Sequence, residues 1–154
     1  MLTVFRKAES ADAPAVADLY LASRRAFQPF APCVHSDDEV RRWIGEVLIP
    51  ANGVTVAVNS DQPIGLMALS RRAACGWIEQ LYLHPTAVGR GIGSQLVQRA
   101  KQELGTPIRL YTFQANLAAR RFYERQGFRP IAFSDGRDNE EHCPDILFEW
   151  NPRP

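Results

Sequence analysis

From Val88 to Leu96 the chain reads VGRGIGSQL, three glycines in five positions running straight into a helical pattern. Glycine costs a helix about 1 kcal/mol per residue relative to alanine, so this density calls for a physical reason. One reason is a ligand approached closely by backbone. A glycine-rich turn points several N–H groups at one spot, at the positive end of a helix, which suits a diphosphate. The amides of Arg90, Gly91, Ile92, Gly93 and Ser94 are then the expected donors, with Gly89 opening the turn and the Arg90 guanidinium near enough to meet phosphate charge. The other reason is a tight strand-to-helix turn with no ligand. Two familiar phosphate loops are excluded. No Lys-Ser or Lys-Thr occurs for a P-loop. The dinucleotide fingerprint needs a third glycine where the chain has Ser94 or Leu96.

Other residues could take part in chemistry. Glu79 lies in the strand-like run GWIEQLYL, where alternation predicts Trp77, Glu79 and Leu81 on one face. A carboxylate beside Trp77 and Leu81 is out of place in a core, so Glu79 is expected either to handle a proton or to be ion-paired or exposed. Tyr123 in RRFYER stands four residues after Ala119, the spacing of a core helix face. Asn116 opens that helix and suits an N-cap. From Ser134 to Asp145 there are five acids and one arginine, net −4 with His142 neutral. Such a run is either a solvated turn or an attractor of cations. Glu140 and Glu141, just before Pro144, and His35, after the double proline of PFAPCVH, are the candidates to touch a substrate.

These residues must be positioned by regular elements. LTVFRK reads as a strand. A helix follows from Ser10, Asp12 and Pro14, with Val16, Leu19, Tyr20, Ser23 and Phe27 at helical spacing. Ser36–Asp38 opens a second helix carrying Val40, Trp43, Ile44 and Val47 and ending before Pro50. VTVAV, IGLMALS and GWIEQLYL predict three consecutive antiparallel strands. Ile92, Leu96, Ala100 and Leu104 line one face of the helix after the glycines, which Gly105 stops. IRLYT is a strand, NLAARRFYERQG a short helix, and FRPIAF and DILFEW the last two strands. The order β-α-α-β-β-β-α-β-α-β-β predicts an α/β fold, with a single mixed, mostly antiparallel central sheet flanked by helices and parallel pairing in its middle.

Length and composition bound the rest. With 154 residues, 45% apolar and no linker-like stretch, one domain over 1–154 is expected. A net charge of +1 argues against nucleic acid as the main partner. No apolar run reaches the ~20 residues of a membrane span, and MLTVFRKAES lacks the apolar segment of a secretory leader. Cys33, Cys75 and Cys143 are odd in number and form no CxxC pair, so reduced thiols in a cytoplasmic protein are expected, with no zinc or other metal site. The arginine pairs in RRAFQ and RRWI read as solvated faces.

Taken together, strand IEQLYLHP, turn GRGIGSQL, strand IRLYTFQAN and helix ARRFYERQGF resemble the GNAT superfamily of N-acetyltransferases, strongly over residues 77–133. LYTFQANLAARRFYERQGF, with the acidic run after it, is similar to a subgroup of uncharacterised bacterial members. The family's turn pattern Q/R-x-x-G-x-G/A is met by Gly91 and Gly93, while its first position is Val88, a departure that removes a side chain and leaves the backbone donors. The resemblance implies acetyl-CoA as co-substrate and an amine, small-molecule or peptide, as acceptor. It implies main-chain bonds from Leu81 and Leu83 to the pantetheine arm and thioester, Asn116 near the pantetheine, Tyr123 as the acid that protonates the leaving thiolate, and Glu79 as a base acting through water. It also implies homodimers as a family habit, with an exposed last strand as one way to build them. A different class, an acyl-CoA-binding module without turnover, shares the same turn; Tyr123, Glu79 and Asn116 together favour the enzyme.

Overall fold

Short runs of β-branched and aromatic residues, separated by turn residues, form seven strands in the computed structural model, which describes residues 2–152. The strands are β1 (Val4–Lys7), β2 (Val54–Asn59), β3 (Gln62–Arg72), β4 (Cys75–Leu83), β5 (Ile108–Phe113), β6 (Arg129–Ser134) and β7 (Asp145–Trp150). The helices are α1 (Ala13–Phe27), α2 (Asp37–Trp43), α3 (Ile92–Leu104) and α4 (Leu117–Arg125). Element order agrees with the sequence reading. Among the described residues no helix is long and apolar enough to cross a membrane.

All strands join one sheet in the order β1-β2-β3-β4-β5-β7-β6. The mixed character is confined to one place: β4 and β5 are parallel and every other neighbour is antiparallel. The expected run of parallel strands stops there because β7 inserts between β5 and β6. The last strand is therefore interior, and the exposed edge on that side is β6, which corrects the dimer-forming role expected of the last strand.

Each face of the sheet carries a core. On one, Ile92, Leu96, Ala100 and Leu104 of α3 are all buried as their spacing requires, against Ile108, Leu110, Ile146 and Phe148. Each of these side chains other than Ala100 contributes roughly 1.5–3 kcal/mol of transfer free energy. On the other face, Val16, Ala17 and Leu19 of α1 with Val40 and Ile44 cover Val54, Val56 and Leu66. Here the expected stripe breaks. The second helix continues as a π-turn, Ile44–Leu48, in which the Ile49 amide donates to Ile44 O at 3.0 Å. The wider turn rotates Val47 out to 57% exposure and carries Ile49 into the core instead. Phe27, at the end of α1, is also exposed.

Candidate active site

Strands β4 and β5 pair over only two positions, Gly76 with Ile108 and Trp77 with Arg109. Beyond them the strands diverge. A cavity of about 920 Å³ opens between Ile78–Tyr82 on one wall and Leu110–Phe113 on the other. It runs from α4, where Asn116, Ala119 and Tyr123 line it, to α1 and α2, where Tyr20, Arg24 and Val40 line it. Directly after β4 the His84 amide donates to Ile64 O of the neighbouring β3 at 2.8 Å. Backbone amides alternate between the two edges of a strand. The amides of Leu81 and Leu83 therefore face the gap, where β5 has moved out of reach.

At the far end of β4 the glycine turn is built for two different reasons. Gly89 and Gly91 have φ of +82° and +78°, the left-handed region that favours glycine, and a Cβ at either would meet nothing within 4 Å. Gly93 is a packing glycine: its Cβ would stand 3.2 Å from Phe122 Cζ, so α4 can lie close against α3. The first amide of α3 to bond back along the helix is that of Gln95, to Gly91 O at 3.1 Å. The amides of Ile92, Gly93 and Ser94 precede it and are left for another acceptor, because Gly91, as N-cap, has no side chain to supply one. Arg90 is exposed and in no ion pair among the described residues. The Ser94 hydroxyl accepts from Gln126 Nε2 at 2.9 Å, so its own proton is free to be donated. Open space, unpaired amides and an unpaired guanidinium together fit a diphosphate.

Tyr123 is 7% exposed, its ring packed edge-on against Phe122 and Phe128. Burial pushes its hydroxyl above the usual tyrosine value, with a smaller push from Tyr82 across the cavity, so the proton is held at neutral pH. Asn116 caps α4, its Oδ1 accepting from the Ala119 amide at 3.2 Å, while the same residue lines the cavity.

Glu79 is placed differently from its expectation. Ala68 pairs with Gln80 but Leu69 with Ile78, so Glu79 has no partner in β3 and forms a bulge. The extra residue breaks the alternation. Ile78, Leu81 and Leu83 pack on the α3 core and Tyr82 on the α1 core, whereas Trp77 stacks on Tyr111 at 5.7 Å. Trp77, Glu79 and Leu81 therefore do not share a face. The Glu79 carboxylate lines the cavity, and its Oε1 accepts from Ser70 Oγ at 2.9 Å and Arg72 Nη2 at 2.8 Å. Oε2 carries neither bond.

At the opposite end, the three residues expected to touch substrate are brought together, partly by pairing with one another. His35 Nε2 lies 3.1 Å from Glu140 Oε2, joining the α1–α2 segment to the β6–β7 loop. Glu141 lies 3.6 Å from Arg24 Nη1. The loop itself is closed by Asn139, whose Nδ2 donates to Cys143 O and Asp145 Oδ2, and by Gly136, whose Cβ position falls 2.3 Å from the Cys143 carbonyl carbon. Three participants escaped the sequence reading. By its sequence Arg24 pairs with Arg25 as a solvated face. Arg25 is solvated and pairs with Asp37, but the Arg24 side chain is only 11% exposed and lines the cavity. Its spacing of four from Tyr20 was the available signal. Tyr20 and Tyr82 stand 4.8 Å apart between ring centroids; burial raises both hydroxyls above their ordinary value, against the opposing pull of Arg24. Tyr82 could not be placed from sequence because the bulge before it leaves no mark there.

The family model described as acetyltransferase (GNAT) family matches residues 17–128. No match is found among curated proteins. Solved structures share the fold at low identity. Apo YjaB from Escherichia coli superposes with a TM-score of 0.81 at 24% identity, covering 97% of this chain and 98% of that one. The PaiA N-acetyltransferase of Thermoplasma acidophilum, solved in complex with coenzyme A, gives 0.77 at 20% identity, covering 98% and 99%. The ribosomal-protein-S18-alanine N-acetyltransferase of Escherichia coli gives 0.72 at 15%, covering 97% and 93%.

Proposed function

We propose that this chain, which belongs to the GNAT acetyltransferase family, transfers an acetyl group from acetyl-CoA to a primary amine by direct attack in a ternary complex. The observation that carries this reading is the divergence of β4 from β5 directly after Trp77 and Arg109. It opens one continuous cavity that reaches from Tyr123 and the gap-facing Leu81 amide to the acidic residues of the β6–β7 loop.

Acetyl-CoA supplies the activated acetyl group: the C–S bond breaks, a C–N bond forms, and CoA leaves as the free thiol. The residues of the chain do the rest. The amides of Arg90 to Ser94, with the Arg90 guanidinium, hold the diphosphate between Gly89 and the first turn of α3. The Leu81 and Leu83 amides hold the pantetheine arm and the thioester, where a donor aimed at developing charge is worth roughly 3 kcal/mol. Asn116 closes the same channel from α4. Tyr123 keeps its proton on Oη until the thiolate needs it. Glu79 Oε2 takes the proton lost by the amine through water, which returns the balance to zero when Tyr123 is reprotonated. His35, Glu140 and Glu141 frame the acceptor.

Tyr123→Phe tests the assignment. The substitution removes only the hydroxyl from a packed ring, so acetyl-CoA binding is retained while kcat falls 10²- to 10⁴-fold, the usual cost of a lost general acid. Unchanged turnover with an intact cofactor affinity would remove Tyr123 from the chemistry.

A further inference from the structure

The acceptor end of the cavity has a charge pattern that the transfer reaction does not itself require. Six carboxylates line the cavity as a whole, Glu39, Glu79, Asp138, Glu140, Glu141 and Asp145, against one arginine. Two are balanced by arginine, Glu141 by Arg24 and Glu79 by Arg72, and Glu140 faces His35. The remaining three have no ion-pair partner among the described residues. Glu39 accepts from the Ser36 amide, Asp145 from Ser134 and Asn139, and Asp138 makes no hydrogen bond among the described residues. Neutral donors hold the Glu39 and Asp145 carboxylates in place without cancelling their charge.

Independent observations concern the neutral lining. Gln28 lines the α1 side of this cavity with a buried Oε1 that has no partner, and Thr112, 9% exposed and on the same face of β5 as Ile108 and Leu110, turns an equally unpartnered, buried Oγ1 to its α4 side. Both atoms can accept a hydrogen bond, and an alkylammonium group offers only donors. The aromatic rings of Tyr20, Trp43 and Tyr82, with centroids 4.8–5.9 Å apart, add faces that attract a cation. A carboxylate on the acceptor would find the opposite. The one lining arginine, Arg24, is nearly buried and already set against Glu141.

We infer that the acceptor is a linear polyamine, whose reacting nitrogen enters the splay neutral while a second, protonated nitrogen is held by the lining carboxylates. The inference rests on the acetyltransferase reading above and narrows it to one acceptor class.

Three acceptors test it on the intact protein with acetyl-CoA: 1,5-diaminopentane, pentylamine and 6-aminohexanoate, in which the same five-carbon chain from the reacting amine carries an ammonium, nothing further and a carboxylate. CoA release is expected to give kcat/KM at least tenfold higher for the diamine than for pentylamine, and lowest for 6-aminohexanoate. Asp138→Asn, which breaks no hydrogen bond or ion pair among the described residues, is expected to reduce the diamine-to-pentylamine ratio about fivefold. Equal values for the diamine and pentylamine, or a preference for the carboxylate, would overturn the inference. Should none of the three release CoA, calorimetric binding to the CoA-loaded protein decides. Tighter binding of the diamine than of pentylamine sustains the polyamine site and counts against the transfer reaction alone, whereas equal or absent binding of the diamine overturns the inference.

Discussion

Alanine at Gly91 separates a turn that merely needs a glycine from a turn that binds an anion. The residue has φ +78° and ψ +5°, and a Cβ there would meet nothing within 4 Å. The folded protein therefore bears only the backbone cost, about 1–2 kcal/mol for a non-glycine residue in the left-handed region. At 2–4 °C per kcal/mol for a chain of this size, Tm falls by about 2–8 °C. The methyl group, however, stands in the open space beside the amides of Ile92, Gly93 and Ser94. Keeping a diphosphate from two of those donors, at about 1.5 kcal/mol each, lowers affinity roughly hundredfold. With acetyl-CoA at a hundred times the wild-type Kd, the stabilisation on binding drops from about 2.7 to about 0.4 kcal/mol. Gly105, at the other end of α3, supplies the control: its φ is +70°, its Cβ position is equally open, and it lies away from the cavity. Gly105→Ala loses about 1–3 kcal/mol of stability and keeps the full acetyl-CoA shift. Thermal unfolding of both variants with and without acetyl-CoA reads all four quantities. A Gly91→Ala protein that is destabilised yet keeps the wild-type acetyl-CoA shift would refute the argument and reduce the glycines to a turn.

Other outcomes follow from the same structure. At Gly136 an added Cβ would clash with the Cys143 backbone at φ +85°, so Gly136→Ala must displace the β6–β7 loop; an unfolding free energy in urea lowered by about 1–3 kcal/mol together with a raised KM for the amine is expected, and an unchanged KM would detach the loop from the acceptor. Burial raises the hydroxyls of Tyr20, Tyr82 and Tyr123 above their unfolded value. Their stabilising contribution is complete below about pH 10 and is lost as pH rises towards the raised values. Absorbance titration should therefore show three of the four tyrosines ionising only as the protein unfolds, and reversible ionisation of all four in the folded state would contradict this. Leu96, fully buried in the α3 stripe, should cost about 2–5 kcal/mol as Leu96→Ala by denaturant unfolding, with the acetyl-CoA increment retained.

The legible parts of this chain are those whose signal is local. The α3 stripe, the left-handed turn at Gly89 and Gly91, the cap at Asn116 and the order of elements all follow from spacing and residue type within a dozen positions. What escaped depends on pairing between distant segments or on a single inserted residue. The insertion of β7 between β5 and β6 is a choice of partner, to which hydrophobic alternation is blind. The bulge at Glu79 shifts register by one residue, reversing the expected faces of everything after it on β4. The π-turn at Ile44–Leu48 does the same to α2, exchanging Val47 for Ile49. Arg24 reads as solvated because charge on a helix usually is; only its position over Tyr82 and Glu141 takes it out of water. The third glycine is a further case: the sequence groups Gly93 with the ligand-facing pair, and the structure shows that it makes room for Phe122.

The central claim is that the amide-lined turn and the gap between β4 and β5 form one acetyl-CoA site. A crystal structure of the protein grown with CoA tests it most directly. The account predicts the diphosphate on the amides of Arg90 to Ser94, the pantetheine arm along the Leu81 and Leu83 amides, and the sulfur beside the Tyr123 hydroxyl. CoA bound elsewhere, or a β4–β5 gap that stays clear of it at saturating concentration, would contradict the account.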